Sequence, residues 1–136
     1  MKTPKAVVFH PFQEVGELLR DILLMGKVDA IYAATNGTQN ILGKLRQERY
    51  DLVVIASRLS KNGTTQEGLE VLAQSPDVPI VIVEYGEPCK QEAMRLGAKD
   101  YLQLGVRGYQ EGPMSPDEIK TRLLKALEPQ SQSDQI

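Results

Sequence analysis

The sequence is poor in the side chains that build disulfides and metal sites. It contains one cysteine, one histidine and no tryptophan among 136 residues. A single cysteine excludes an intrachain disulfide and any metal site built from several thiolates, and one histidine adds little to the stock of zinc ligands. The sequence therefore predicts no bound metal and no cofactor.

Long apolar runs and an excess of positive charge are also missing. The first apolar run, residues 6–9, is shorter than a signal-peptide core and far shorter than the roughly 20 residues that cross a membrane. The net charge is -2, and the lysines and arginines are interleaved with acids, unlike the basic patch of a nucleic-acid-binding domain. We expect a cytoplasmic protein that binds neither a membrane nor a nucleic acid.

Short apolar runs alternate along the chain with stretches of helical periodicity. The runs cover residues 6–9, 30–34, 52–56 and 80–83, and residues 99–102 are a weaker candidate for a fifth strand. Between them, apolar residues recur at spacings of three and four, which is typical of helices buried on one side. Because the runs are apolar throughout, we expect a parallel sheet with helices on both faces. The prediction is an α/β fold, a doubly wound (βα)5 sheet of flavodoxin-like type with strand order 2-1-3-4-5.

The chain has the length of one domain, which we place at residues 1–128. Residues 129–136 are polar and aperiodic, and we expect them to form a disordered tail. Thr64 followed by Glu67 is a capping-box pattern that predicts the start of the third helix. Pro88 suits the first position of the fourth helix.

Five segments of the sequence occur in an order that is typical of one family. They are DLVV at 51–54, EGLEVL at 67–72, PIVIV at 79–83, LGAKDYL at 96–102 and SPDEI at 115–119. None is specific alone, but in this order they resemble the receiver domain of bacterial response regulators over residues 5–127. The resemblance implies a CheY-like fold and a role in two-component signal transduction or a phosphorelay.

The sequence departs from this family at the positions that hold the phosphoryl group. Active receivers place two adjacent acids after the first strand, where this chain has His10 and Pro11. The phospho-accepting aspartate corresponds to Ala56. The hydroxyl residue after the fourth strand corresponds to Glu84, and the lysine after the fifth strand corresponds to Leu104. These replacements imply a pseudo-receiver that has lost the phosphorylation site.

Elementary chemistry leads to the same interpretation. An acyl phosphate needs a carboxylate nucleophile and a hard cation, and Mg²⁺ needs oxygen ligands that usually include carboxylates. Ala56 offers no nucleophile, and the carboxylate of Glu84 would oppose an incoming phosphoryl group. Ser57 follows Ala56, but strand alternation is expected to point it to the other face of the sheet. We therefore predict a module that is neither an enzyme nor a phosphate acceptor.

Two hypotheses of function follow from these residues. The first is a phosphorylation-independent module that binds a protein partner, such as a kinase or an effector, or a second copy of itself. Its candidate partner surface includes Tyr101, Arg107 and Tyr109. The second is a sensor that binds a small ligand or a metal at the vacated edge near His10 and Glu84.

Some individual side chains admit both a functional and a structural interpretation. His10 and Glu84 are either a pH-sensitive or metal-binding pair, or a hydrogen-bonded plug in the vacated pocket. Cys89, in the first turn of a predicted helix, is either a thiol of lowered pKa or a small buried apolar residue. Tyr101 corresponds to the switch aromatic of the family. It either forms part of a binding surface or packs on the edge of the sheet.

Overall fold

Strands and helices alternate along the chain as the apolar pattern predicted. A computed structural model describes residues 2–35, 37–60, 66–75, 77–84, 88–104 and 114–128. The strands are β1 (Lys5–Phe9), β2 (Asp29–Ala33), β3 (Leu52–Ala56), β4 (Ile80–Glu84) and β5 (Asp100–Gln103). The helices are α1 (Gln13–Met25), α2 (Thr38–Gln47), α3 (Gln66–Ala73), α4 (Lys90–Arg95) and α5 (Pro116–Ala126).

The strands form one parallel sheet in the order β2-β1-β3-β4-β5. Phe9 lies beside Ile55 and Ala56 beside Val83, so the carboxyl ends of the three central strands meet at one edge. This arrangement confirms the predicted fold class and strand order. It also confirms that the residues chosen from the sequence lie at one end of the sheet.

Helices cover the sheet from both sides and divide the core in two. On one face, α1 and α5 pack over a cluster that includes Val8, Val54 and Leu102. On the other face, α2, α3 and α4 pack over a cluster that includes Val7 and Ile55. Neighbouring residues of one strand thus enter opposite clusters. Both clusters are apolar, and burial of each large apolar side chain stabilises the fold by roughly 1.5–3 kcal/mol.

The start of α4 differs from the prediction. Cys89 is the N-cap residue, with φ of -141°, and the helix begins at Lys90, so Pro88 lies before the helix instead of at its first position. The backbone N–H of Cys89 donates to the Tyr101 hydroxyl at 2.9 Å, which fixes Cys89 outside the helical turn. The Tyr101 hydroxyl on β5 thus helps to fix the residue at which α4 begins.

The sequence also contains capping patterns at the starts of α5 and α3. At α5, the hydroxyl of Ser115 accepts a hydrogen bond from the Glu118 N–H at 3.1 Å, and proline occupies the first turn, which is typical of a serine-proline helix start. At α3, the carboxylate of Glu67 accepts from the N–H of Leu59 at 3.0 Å, so it ties the helix to the segment after β3. Thr64, the other half of the predicted capping box, lies outside the described residues.

The predicted tail, residues 129–136, also lies outside the described residues. Within the ranges that the structure describes, no helix combines the length and the apolar character that spanning a membrane requires.

Gly68 allows α3 to approach the carboxyl end of β3 closely. Its N–H donates to the carbonyl oxygen of Ser57 at 2.7 Å. A Cβ atom at this position would lie 2.4 Å from the Ala56 carbonyl oxygen and 2.7 Å from the Ser57 Cα. Both of these atoms belong to the backbone of a central strand, so they have little freedom to move.

We expect Gly68→Ala to lower the free energy of unfolding by about 1–3 kcal/mol, because the added methyl group forces α3 away from β3. The matched control is Gly43→Ala in α2, where a Cβ would meet no atom within 4 Å. That change should raise the stability by about 0.5–1 kcal/mol through helix propensity. Urea denaturation of both variants provides the measurement. Equal effects of the two substitutions would contradict the close approach.

Candidate functional site

The five positions that correspond to the phosphorylation pocket lie at the carboxyl edge of the sheet, and four of them are closed to solvent. His10 is 1% exposed, and Ala56, Glu84 and Leu104 are 0% exposed, whereas Pro11 is half-buried. Backbone pairing continues past the strand ends, since the Leu104 N–H donates to the Glu84 carbonyl oxygen at 2.7 Å. Leu104 joins the apolar cluster beneath α1 and α5. The described part of this edge is therefore packed like a core.

His10 is held as a neutral imidazole. Its Nδ1 accepts a hydrogen bond from the Phe12 N–H at 3.0 Å, which requires that nitrogen to be unprotonated. Burial lowers the pKa of His10 from 6.5 to about 4. The backbone of the same residue is held as well, because the Tyr32 hydroxyl donates to the His10 carbonyl oxygen at 2.9 Å.

Tyr32 is a positioning residue that the sequence analysis missed. Its ring packs over α1 at Gly16, where a Cβ atom would lie 2.2 Å from the ring. The glycine therefore makes room for the tyrosine, and the tyrosine holds the chain after β1. The signal in the sequence is a glycine inside an otherwise apolar helix stripe, which is typical of a close contact with another element.

Glu84 is buried together with Ser57. The Ser57 hydroxyl donates to Oε1 of Glu84 at 2.7 Å, and both residues are 0% exposed. Ser57 follows Val53 and Ile55 on the side of the sheet that α2, α3 and α4 cover, opposite the side that Val54 and Ala56 share by alternation. Ser57 thus points away from Ala56, as expected, but it points to the carboxyl group of Glu84.

The register separates His10 from Glu84. His10 follows Ala6 and Val8, which face α1 and α5, whereas Glu84 follows Ile82, which faces the other helices. Strand alternation therefore directs the two side chains toward opposite layers. His10 accepts a hydrogen bond from Phe12 and Glu84 accepts one from Ser57, which agrees with the plug interpretation.

Cys89 and Tyr101 lie next to the buried carboxyl group. The Cys89 thiol lies 3.8 Å from Oε1 of Glu84. Burial, followed by the charge of Glu84, raises the pKa of Cys89, so the hypothesis of a lowered thiol pKa is wrong. The helix dipole does not dominate, because the thiol lies against a carboxyl group and outside the helical turn.

Tyr101 packs inside the protein. It is 5% exposed, and its hydroxyl accepts the hydrogen bond from the Cys89 N–H. Burial raises the pKa of this hydroxyl group. Tyr101 therefore cannot contact a partner in this conformation, and the interpretation as a residue packed on the sheet holds. The other two members of the predicted surface, Arg107 and Tyr109, lie outside the described residues.

A second feature that the sequence did not reveal joins α5 to β5. Arg122 binds Asp100 through two nitrogens, with Nε donating to Oδ2 at 2.6 Å, and it also donates to the Tyr101 carbonyl oxygen at 3.2 Å. Burial acts to raise the pKa of Asp100. The hydrogen bonds from Arg122 and from the Tyr101 N–H outweigh it, so the pKa is lowered. The pair fixes α5 against β5 with the geometric precision of a bidentate contact.

We define the α4–β5 face as Lys90, Met94, Lys99, Asp100 and Arg122. Met94 is 43% exposed, and Lys90 lies one helical turn before it, close enough to Asp100 to lower the pKa of that carboxyl group. Three cations and one acid of this set accompany one exposed methionine, and Glu118 of α5 also acts on Arg122. The face thus combines an apolar contact with a small excess of positive charge.

The described residues do not bring together a metal site. No group of three or more His, Cys, Asp or Glu side chains that could hold an ion occurs within the ranges that the structure covers.

Comparisons with known proteins identify the fold and no closer relationship. No family model matches the chain, and no curated protein matches it. Among solved structures, a CheY-like response regulator receiver domain protein from Methanospirillum hungatei superposes with a TM-score of 0.75 at 16% identity, over 97% of this chain and 99% of that one. A CheY-like receiver domain from Methylobacillus flagellatus gives 0.70 at 19% identity, over 93% and 100%.

The chemotaxis response regulator CheY4 of Vibrio cholerae is also similar, with a TM-score of 0.68 at 18% identity, over 92% of this chain and 99% of that one. At such identities the likeness defines the fold alone. The chain has the flavodoxin-like fold of CheY-like receiver domains over nearly its whole length.

Burial of His10 predicts a pH-dependent stability. The pKa of His10 is about 4 in the folded protein, below the ordinary value of 6.5. In the pH window between these two values, the unfolded chain binds a proton at His10 and the folded chain does not. Stability contributed by the neutral imidazole should therefore decrease as the pH falls through the window, by about 2 kcal/mol between about pH 7 and pH 5.

The measurement is urea denaturation at both pH values, with His10→Asn as the matched variant. Asparagine retains an acceptor for the Phe12 N–H but does not titrate. The variant should be less stable at both pH values yet lose less stability on acidification. An equal loss in the two proteins would show that His10 is not the titrating group.

Proposed function

We propose that this chain is a phosphorylation-independent receiver-like module of two-component signalling, and that it acts by binding a protein partner and not as an enzyme. The buried hydrogen bond between Ser57 and Glu84 is the observation that carries the proposal. It places a carboxyl group in the core at the end of β4, where the receiver resemblance expects a hydroxyl residue that contacts a phosphoryl group.

The packing of the edge supports this proposal. Phosphoryl transfer to a carboxylate requires an accessible nucleophile, in-line approach and a cation that offsets charge. Ala56 is a fully buried methyl group, and fully buried Leu104 stands where a cation would be needed. A neutral His10 supplies no oxygen ligand for Mg²⁺. The described residues at this edge thus offer neither the nucleophile nor the ion site.

The position of α4 supports recognition without a covalent switch. The hydroxyl of the buried Tyr101 accepts from the N-cap residue of α4, and the Cys89 thiol lies beside Glu84. Both contacts form without a phosphoryl group. These contacts support a defined position for the start of α4 relative to β4 and β5.

The chemistry of this face favours an acidic partner. Lys90 and Lys99 add positive charge beyond the Asp100–Arg122 pair, and Met94 supplies an adaptable apolar contact. Two copies of the face would repel each other, which favours another protein over self-association here. Arg107 and Tyr109 remain predicted members of the same surface. Burial of His10 and Glu84 makes a ligand or metal sensor at the vacated edge the less favoured alternative.

The absence of a phosphorylation site is tested with acetyl phosphate and Mg²⁺, and separately with beryllium fluoride. We expect no phosphoryl adduct by intact mass and no saturable shift in ¹H–¹⁵N spectra, for the wild-type chain and for Ala56→Asp alike. One restored acid does not rebuild a cation site. Ala56→Asn controls for the effect of a polar side chain on folding. An adduct on either protein would overturn the proposal.

The partner surface is tested with a double variant, Lys90→Glu with Met94→Asp. Affinity capture should use the kinases and effector domains encoded beside this protein. The variant should lose a partner that binds through this face, since the charge of Lys90 is reversed and the apolar contact of Met94 is removed. Lys2→Glu with Met25→Asp, at an exposed lysine and an exposed methionine outside the face, is the charge-matched control. Equal binding by the double variant would exclude the α4–β5 face.

A further inference from the structure

A second surface lies at the opposite edge of the sheet, where α2 leaves part of β2 uncovered. Ile31 is 41% exposed, although its register partner on β1, Val7, is 0% exposed. On the other face of the same strand, Ala30 is buried beneath α1. The sheet is therefore fully covered on one side, but on the other side the cover ends before the edge strand.

The edge of β2 has free backbone hydrogen-bonding groups that can bind a further strand. The Asp29 N–H donates to the Pro4 carbonyl oxygen at 2.8 Å, so in this parallel ladder the odd-numbered residues of β2 pair with β1. The N–H and C=O groups of Ala30 and Tyr32 consequently point away from the sheet. Such an edge is a template on which an extended peptide adds as a new strand.

A groove of about 370 Å³ runs between this strand and α2. It is lined by Phe9, Ala33, Ala34, Asn40, Ile41, Gly43, Lys44 and Gln47. Gly43 widens the groove, because a Cβ atom there would meet nothing within 4 Å. The space is large enough for one or two side chains of a peptide that lies along β2.

The charge of the groove selects its occupant. Among the described residues that line it, Lys44 is the only one with a charged side chain. The nearest acid along the chain is Glu48, the C-cap residue of α2, which pairs with Lys5 at 2.8 Å and interacts more weakly with Lys44. An incoming carboxylate would therefore meet a cation whose neighbouring acid is paired mainly with another lysine.

We propose that the groove between α2 and β2 binds an extended acidic segment of a partner protein, which adds to the sheet beside β2. Side chains two residues apart in such a segment point to the same face. One apolar side chain would pack on Ile31 and Ala33, and an acidic side chain two positions away would reach Lys44. This surface is independent of the α4–β5 face, because the two lie at opposite edges of the sheet.

The test titrates the isotopically labelled protein with the peptide acetyl-Ser-Ile-Thr-Asp-Ser-amide. Backbone amide resonances of β2 and of Gly43 should shift and saturate at millimolar peptide. The same peptide with asparagine in place of aspartate should bind about two- to fivefold more weakly, and Lys44→Gln should reduce the affinity for the aspartate peptide by the same factor. Lys27→Gln, a lysine outside the groove, should leave it unchanged.

A second variant separates binding from folding. Gly43→Leu fills the groove at a helical position with open space, so it should abolish the shifts while the melting temperature stays equal or rises. The proposal is overturned if the wild-type resonances do not move, or if the asparagine peptide binds equally well. It is also overturned if the same resonances move on raising the protein concentration alone, because a second copy of the chain would then occupy the edge.

Discussion

Burial of both faces of a parallel sheet is the constraint on which the rest of this structure depends. The apolar side chains of the central strands enter one of two layers, so a polar group buried at a strand end must find its hydrogen-bond partner inside the protein. Glu84 finds it in Ser57, and His10 finds it in the backbone of Phe12. The same alternation that makes the core apolar also decides which polar residues can meet.

The consequence for function is that an edge suited to ion and phosphate chemistry is closed by packing. In open α/β sheets the carboxyl edge is where ligands bind, and here its described part is filled by the buried side chains of Ala56 and Leu104. Tyr101 and Cys89 connect this filled edge to the start of α4. In the function proposed above, these contacts position α4 without a covalent modification.

In the function proposed above, recognition falls to the surfaces at the two sides of the sheet. The α4–β5 face combines unbalanced lysines with an exposed methionine, and the groove beside β2 combines a free strand edge with Lys44. Both favour acidic protein segments, in a chain whose net charge is -2. Local charge, and not the total, determines which partner each surface attracts. Because they lie at opposite edges, both surfaces can be occupied at once.

Apolar periodicity by itself determined the five βα units, and the continuous apolar strands determined that both faces of the sheet are covered. Both results depend on which positions are apolar and little on which apolar residue occupies each position. Residue identity alone excluded a carboxylate nucleophile at Ala56. Only the tertiary structure decided that Glu84 meets Ser57, that Tyr101 is buried, and that Cys89 precedes its helix. These outcomes depend on strand register and on contacts between residues distant in sequence, which local patterns do not encode. The uncovered edge at Ile31 depends on where α2 packs, and that too is set by the assembled layers.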